Sequence, residues 1–524
     1  MSLASIPEAS KWASNFLEKE ILPTNISYLV QYGKVKKYGE NGSTMIDLND
    51  LKKYYDSYNG KREESWKKNL GNDLNWTLSF DNLREKDTTK HVHRLHPYKG
   101  KYIPQLVEYF LDTHIDDFKK EVYFKPGDTI LDPFLGSGTT IIQSLEMSIH
   151  SIGIDVSEFN CMISSCKASR YDDKYLQNAI KKFIFSLDSF EHDNKIQDFE
   201  NELLAELAKF NLKHFPSYDF KYKVNQGNFD ENKFATEKEK DFLPIYQKLL
   251  KKYSIKIKQD KSDSFLDIWF IDNVRCEIDH VFQTIKKEKD VKTRKILALI
   301  LSRTIRSCRA TTHSDLATLK EPKLTTYYCY KHKKICNPLF SIASMLNRYA
   351  VDTLSRIREF EKLRKPAHYA VLTGDSRDVN IFEKVGKQNP EFSKILEKQK
   401  ISGIFCSPPY VGQIDYHEQH AYAYDLLGFE RKEELEIGPL YKGQGSEARK
   451  SYVQGISDVL NNCKQYLKNN FDIFLVANDK YNLYPEIAEK SGMKIVNQFK
   501  RPVLNRTERD RTPYSEIIFH FKLK

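Results

Sequence analysis

The stretch "GDTILDPFLGSGTTIIQSLEMSIHSIGIDVSEFN", residues 127 to 160, restricts the possible folds of this chain more than any other. An apolar run ends at Leu131 and Asp132, a turn carries Gly136 and Gly138, Thr139 and Thr140 open a helical pattern, and a second apolar run ends at Asp155. Strand, turn, helix and strand at this spacing make one βαβ unit, which requires a parallel sheet with helices on its faces. Glycines at such a turn let backbone N–H groups approach a ligand closely, and the helix N-terminus adds partial positive charge. A carboxylate or phosphate can dock there. Taken alone, a Gly-x-Gly is equally a plain strand-to-helix turn with a threonine cap.

Two further features narrow the ligand. The third glycine of a dinucleotide fingerprint is missing, since Ile141 stands three positions after Gly138, which disfavours a pyrophosphate. Asp155 lies 23 residues after Asp132, near the offset of ~20 at which an acid binds ribose hydroxyls. A nucleoside without a pyrophosphate fits, and S-adenosylmethionine is the expected cofactor.

The second informative stretch is "SGIFCSPPY", residues 402 to 410, an apolar run that stops at two prolines and an aromatic ring. Together, "DPFLGSGTT" and "SPPY" resemble the amino-methyltransferases of DNA. The serine of the second motif is typical of that family's cytosine-N4 enzymes, whereas Asp or Asn there is typical of adenine-N6 enzymes. "HPYKGKYIPQL", before the first strand, looks like the family's first cofactor-side element. The resemblance covers residues 91–165 and 366–524.

The resemblance implies an α/β fold: a Rossmann-like, S-adenosylmethionine-dependent methyltransferase sheet, mostly parallel with one antiparallel closing strand, carrying a large helical insertion. It implies a cofactor site at Lys101, Asp132, Phe134, Gly136, Gly138, Thr139, Asp155 and Asp375, and a catalytic rim at Ser407, Pro408, Pro409 and Tyr410. Asp375, in "VLTGDSRD", is equally read as a simple Asx turn. The order of motifs, with the cofactor turn first, the insertion next and "SPPY" last, looks like the family's alpha-type arrangement.

The rim makes chemical sense. Consecutive prolines lock their own φ, push the preceding residue into an extended conformation and offer no N–H, so acceptors remain. A cytosine amine is a poor nucleophile because its lone pair is delocalised into the ring. Hydrogen bonds from it to Ser407 Oγ and the Pro408 carbonyl would localise that lone pair, and positioning and electrostatics would supply most of the rate. Tyr410 would stack on a base drawn out of the helix, worth ~1–3 kcal/mol. A proline strand terminator with a core tyrosine is the plain alternative. Cys406 is read as core packing, because direct amine attack needs no covalent thiolate step.

Between residues 166 and 365 strand and helix alternation gives way to long Lys-rich helical patterns, so the chain divides into an N-terminal extension (1–90), a split catalytic domain (91–165 and 366–524) and an inserted helical target-recognition domain (166–365). Lys plus Arg number 83 against 72 for Asp plus Glu, a net charge of +11, which favours a polyanionic partner. Double-stranded DNA is that partner on the family resemblance. Arg303, Arg306 and Arg309 recur at helical spacing, with His313 just beyond, and either track phosphates or form a solvated face. Arg501, Arg506, Arg509 and Arg511 fall between the last two strand patterns, where backbone phosphates would pass.

Cys329, His332 and Cys336 in "YYCYKHKKIC" have a spacing that suits zinc, but no fourth ligand is visible nearby, and no metal is expected. The eight scattered cysteines suit a reducing cytosol, and neither a signal peptide nor a membrane-spanning run is evident. The expected activity is site-specific cytosine-N4 methylation of DNA in the cytoplasm, in a restriction or defence setting with a cognate restriction endonuclease. Adenine-N6 methylation, methylation of an RNA base, and a silent DNA-binding scaffold are the competing readings.

Overall fold

A computed structural model describes the chain except for residues 1, 19, 32, 40–43, 57–60, 82, 192–194, 228, 258–263, 314–320, 339 and 505–511. Two compact units emerge, one of residues 69–187, 279–306 and 343–524, the other of residues 1–68, 188–278 and 307–342.

The first unit is built on a seven-stranded sheet. Its strands are β1 (Thr129–Asp132), β2 (His150–Asp155), β3 (Tyr369–Thr373), β4 (Ile401–Cys406), β5 (Leu467–Ala477), β6 (Met493–Pro502) and β7 (Ser515–Leu523). They lie in the order β6-β7-β5-β4-β1-β2-β3. Strands β1 to β5 pair in parallel, and β7 runs antiparallel to both β5 and β6, the closing arrangement expected of the sheet.

Both faces are covered, which is why β1 and β4 are buried along their whole length and read as largely apolar runs without the alternation of a half-exposed strand. Successive side chains still alternate between faces. Leu131, Ile404, Cys406, Ile473 and Leu475 join the core on one side. Ile130, Phe405, Phe474 and Val476 join the core on the other, against Leu106, Val107 and Phe110 of the Pro-initiated helix α1 (Pro104–Leu111). Helix α2 (Thr139–Glu146) follows β1, α3 (Glu158–Ala168) follows β2, and α4 (Ser446–Lys464) precedes β5.

Because β2 and β3 lie on one side of β1 while β4 and β5 lie on the other, the strand order reverses between β1 and β4. At such a switch point the connections leave in opposite directions and open a crevice at the carboxyl ends of the strands.

The second unit is mainly helical, with long helices at Ile196–His214 and Glu231–Tyr253 sharing buried Phe199, Leu203, Phe242 and Tyr246. Residues 1–68 belong to it: Lys221 Nζ donates to the Gln31 carbonyl (3.1 Å) and Asn225 Nδ2 to that of Gly33 (3.0 Å). This division departs from the boundaries drawn at residues 90, 165 and 365. Helical stretches 166–187, 279–306 and 343–365 group with the sheet, through contacts such as Arg303 to Asp352 (2.8 Å) and Arg364 to the Ala168 carbonyl (2.9 Å).

Candidate active site

A cleft enclosing about 890 Å³ of free space, part of it open to solvent, lies at the switch point. The turn after β1 forms one wall. Asp132 is buried and accepts from the Phe134 N–H (3.1 Å) and the Tyr102 hydroxyl (3.3 Å), while burial pushes its pKa up to about 7. Gly138 (φ 77°) ends the turn as the residue before α2. A Cβ there would lie 2.9 Å from that of Ser164, so only glycine fits the conformation and the space.

Asp155 closes the turn from β2. One carboxylate oxygen accepts from the Gly136 N–H (2.8 Å), the other from the Ser157 N–H (2.9 Å) and Asn160 Nδ2 (3.1 Å). Burial raises its pKa to about 6. Lys101 donates to the His93 carbonyl (2.8 Å), and burial lowers its pKa to about 8. Asp375 accepts two 2.9 Å bonds from Arg377 Nε, and the neighbouring Ser376 Oγ donates to the Pro133 carbonyl at 2.7 Å. Lys101, Phe134, Gly136, Thr139, Asp155 and Asp375 line the cleft, whereas Asp132 and Gly138 are not among its lining residues.

The turn after β4 supplies the opposite wall, where Ser407 and Pro409 face the same cleft. Ser407 Oγ donates to the Val476 carbonyl on β5 (3.0 Å). With its only proton committed there, the hydroxyl can meet a ligand as an acceptor. Tyr410 lines an adjacent space of about 440 Å³ together with Asn478, Asp479 and Tyr481, and its hydroxyl donates to Glu516 on β7 (2.8 Å). "SPPY" thus stands between two openings. Cys406 is fully buried and its thiol pKa is pushed well up by that burial, which agrees with a packing role.

Several cleft residues have no counterpart among those singled out from sequence. Tyr98 stacks on Tyr416 (5.8 Å, 22°) and on His420 (5.5 Å, 28°), and His417 pairs with Glu436. Ser137 Oγ and Asn160 Oδ1 are buried without a hydrogen-bond partner. The dense aromatic and histidine content of "YHEQHAYAY" is the one sequence signal that marks this wall.

The basic residues divide. Arg303 is buried, ion-paired to Asp352 (2.8 Å) and set over the Tyr349 ring (4.1 Å). Arg309 is buried as well. Neither guanidinium is presented to a phosphate backbone in this arrangement: Arg303 lies on the inward side of the helix Val291–Cys308, and Arg309, just past its end, is buried. Arg306 is half-buried, and its charge adds to burial in pushing His420 down to about 3. Arg501 is buried, 3.9 Å from Glu516. Arg506, Arg509 and Arg511 lie outside the described residues. Cys329, His332 and Cys336 come together with a fourth side chain, His313. No described helix is long and apolar enough to cross a membrane.

Comparison with known proteins agrees with this geometry. A family model described as DNA methylase matches residues 11–165, which takes in the glycine turn and reaches back into the segment read from sequence as a bare extension. The type II methyltransferase M.MjaII of Methanocaldococcus jannaschii is 47% identical over 529 aligned residues, covering 100% of this chain and 97% of that protein. The type II methyltransferase M.MvaI of Kocuria varians is 31% identical over 116 residues, 22% of this chain and 24% of its own. M.BsoBI of Geobacillus stearothermophilus, another type II methyltransferase, is 40% identical over 65 residues, 12% of this chain and 11% of its own. Identity that runs the length of both chains, on a sheet whose crevice carries both motifs, makes this protein a member of the DNA amino-methyltransferase family, alongside the type II methyltransferases.

Proposed function

We propose that the protein methylates the exocyclic N4 of a cytosine in double-stranded DNA at a specific sequence, with S-adenosylmethionine as methyl donor. The observation that carries this reading is the state of Ser407: its proton is held by Val476, so its lone pairs face the cleft that the glycine turn also lines. S-adenosylmethionine, when bound, supplies a methyl group on a sulfonium that needs no further activation.

The residues present fit that cofactor. Asp155 and Asp375 offer carboxylates at the cleft wall, and Ser137 Oγ and Asn160 Oδ1 are polar atoms without partners inside the protein. Phe134 and the stacked Tyr98 and Tyr416 give apolar faces for a base. The carboxylates and the turn hold the cofactor; Ser407 Oγ and the Pro408 carbonyl accept from the cytosine amine and concentrate its lone pair for attack. Neither acceptor is a strong base, so the amine proton leaves to water. Tyr410, anchored by Glu516, stacks on the extruded base and offsets part of the few kcal/mol that extrusion costs.

The helical unit then reads the DNA sequence, and a cognate endonuclease in a restriction-modification pair is the expected setting. The net charge of +11 favours the polyanion. Incubating DNA with the protein and isotopically labelled cofactor, then digesting to nucleosides for mass spectrometry, tests the reading. Label in N4-methylcytosine is expected. Label in N6-methyladenine instead moves the chain to the adenine branch, and transfer to structured RNA but not to duplex DNA overturns the substrate.

A further inference from the structure

In the helical unit, four side chains that methyl transfer leaves unused meet at one point. The hairpin of Tyr327–Cys329 and Lys334–Cys336 sets Tyr327 opposite Cys336 and Cys329 opposite Lys334. Alternate residues of a strand share a face, so both cysteines leave the same face of the ladder. Lys333, at φ 55°, donates its N–H to the Cys329 carbonyl (2.6 Å), a tight turn that folds His332 back toward the cysteines. His313 arrives from upstream and is fixed by Tyr327, whose hydroxyl accepts from the His313 N–H (3.0 Å) and bonds its Nδ1 (2.7 Å).

The distances are those of a coordination shell. Cys329 Sγ lies 3.8 Å from His313 Nδ1, Cys336 Sγ lies 3.6 Å from His332 Nδ1, and the two imidazole centroids are 4.4 Å apart. One ligand atom from each residue falls within 4.8 Å of the other three. Zinc bonds of about 2.3 Å to sulfur and about 2.0 Å to nitrogen, at tetrahedral angles, separate neighbouring ligand atoms by roughly 3.3–3.8 Å.

We propose that His313, Cys329, His332 and Cys336 bind one structural metal ion of the zinc class. Binding replaces the two thiol protons with the ion and leaves both sulfurs as thiolates. Four protein ligands leave no open position, which makes the site structural and not catalytic. On binding, His313 Nδ1 exchanges its bond to the Tyr327 hydroxyl for the ion, while the His313 N–H stays bonded to that hydroxyl and keeps the residue in place. The hairpin is short, with strands of three residues; Asn211 on Ile335 and Glu239 on Tyr328 tie it to the long helices, and the ion would fasten the face that carries Cys329 and Cys336. The other group of metal-capable residues, His91, His93 and Glu146, differs in having Lys90 Nζ 2.6 Å from Glu146, a cation already in place.

The inference is independent of the base methylated. Elemental analysis of the purified full-length protein, after gel filtration in metal-free buffer, is expected to find about one zinc per chain. The ion should be lost in Cys329→Ser and in His313→Ala and kept in Cys276→Ser, whose cysteine is exposed. Should the ligand variants fail to fold, the wild-type chain still decides. Stripped with a mercurial and reloaded with Co²⁺, it should show the visible bands of tetrahedral cobalt with thiolate charge transfer. A wild-type chain that takes up neither zinc nor cobalt, retention of the metal in the ligand variants, or a Cys329–Cys336 disulfide in protein purified without oxidant would each overturn the proposal.

Discussion

The turns after β1 and β4 follow adjacent, fully buried strands and line one cleft, yet they are held in shape by opposite means. The glycine turn is shaped by ionisable groups: Asp132 accepts from the Phe134 N–H and Asp155 from that of Gly136. The proline turn is shaped by ring sterics and by two neutral hydroxyls, Ser407 on Val476 and Tyr410 on Glu516. The difference teaches that one wall is held through buried carboxylates and the other chiefly through proline rings and hydroxyl hydrogen bonds. On the proposed function, stiffness stands where the amine is aimed and charge where the cofactor is gripped.

The sharpest way to separate the two turns is Ser407→Ala. Single-turnover methylation should fall by ~10²–10³, the scale of losing one aimed hydrogen-bonding group in an active site, while calorimetric cofactor affinity stays put. A parallel loss of affinity would break the comparison. Tyr410→Ala should cost about 1–3 kcal/mol in kcat/KM, the value of stacking on one base. Substrates with a mismatched target pair should recover part of it, because extrusion is then cheaper.

The charge side of the comparison can be read by titration. The Asp132 pKa is about 7 in the folded chain against an ordinary 3.8. A raised carboxyl pKa means that the folded state holds a proton the unfolded state has lost, so stability falls as pH climbs between those values. Asp132→Asn removes that dependence. Its gain in stability over wild type should grow by on the order of 2 kcal/mol from pH 5 to pH 8, read from denaturant melts at the two pH values. A gain that does not change with pH would refute the role of charge in this turn. Gly138→Ala, with φ at 77° and Ser164 against the new Cβ, should weaken cofactor binding by about 1–2 kcal/mol and leave DNA affinity alone. The smallest effect is expected of Tyr410→Phe, about 1 kcal/mol for one hydrogen bond, measured in thermal stability.

What could be seen in the sequence follows from range. Gly136, Gly138, Pro408 and Pro409 dictate backbone conformation within a few residues, so both turns and the strands before them were readable. Asp155 was readable because a βαβ unit fixes its distance from Asp132. Tyr98 and Tyr416 meet only after the sheet has closed, and no local pattern announces that meeting. The same holds for His313, which stands outside the Cys-His-Cys spacing, 16 residues before Cys329, yet completes the group around it. Helical periodicity identified the long helices but not what they pack on. Hence residues 279–306 and 343–365 look from sequence like part of an insertion although they group with the sheet, and Arg303 looks like a surface residue although it pairs with Asp352.

The pairing of Ile130 with Gly403 bears on how the chain is made. Strand β1 leaves the ribosome with its β4 edge open, and its partner follows roughly 270 residues later, a separation of the kind that slows folding. At synthesis rates of about 5–20 residues per second, that edge waits some tens of seconds. For that interval a strand with Ile130 and Leu131 at its centre has one side available to any passing chain, so nascent-chain chaperones are expected to govern the yield of this protein more than its final stability does.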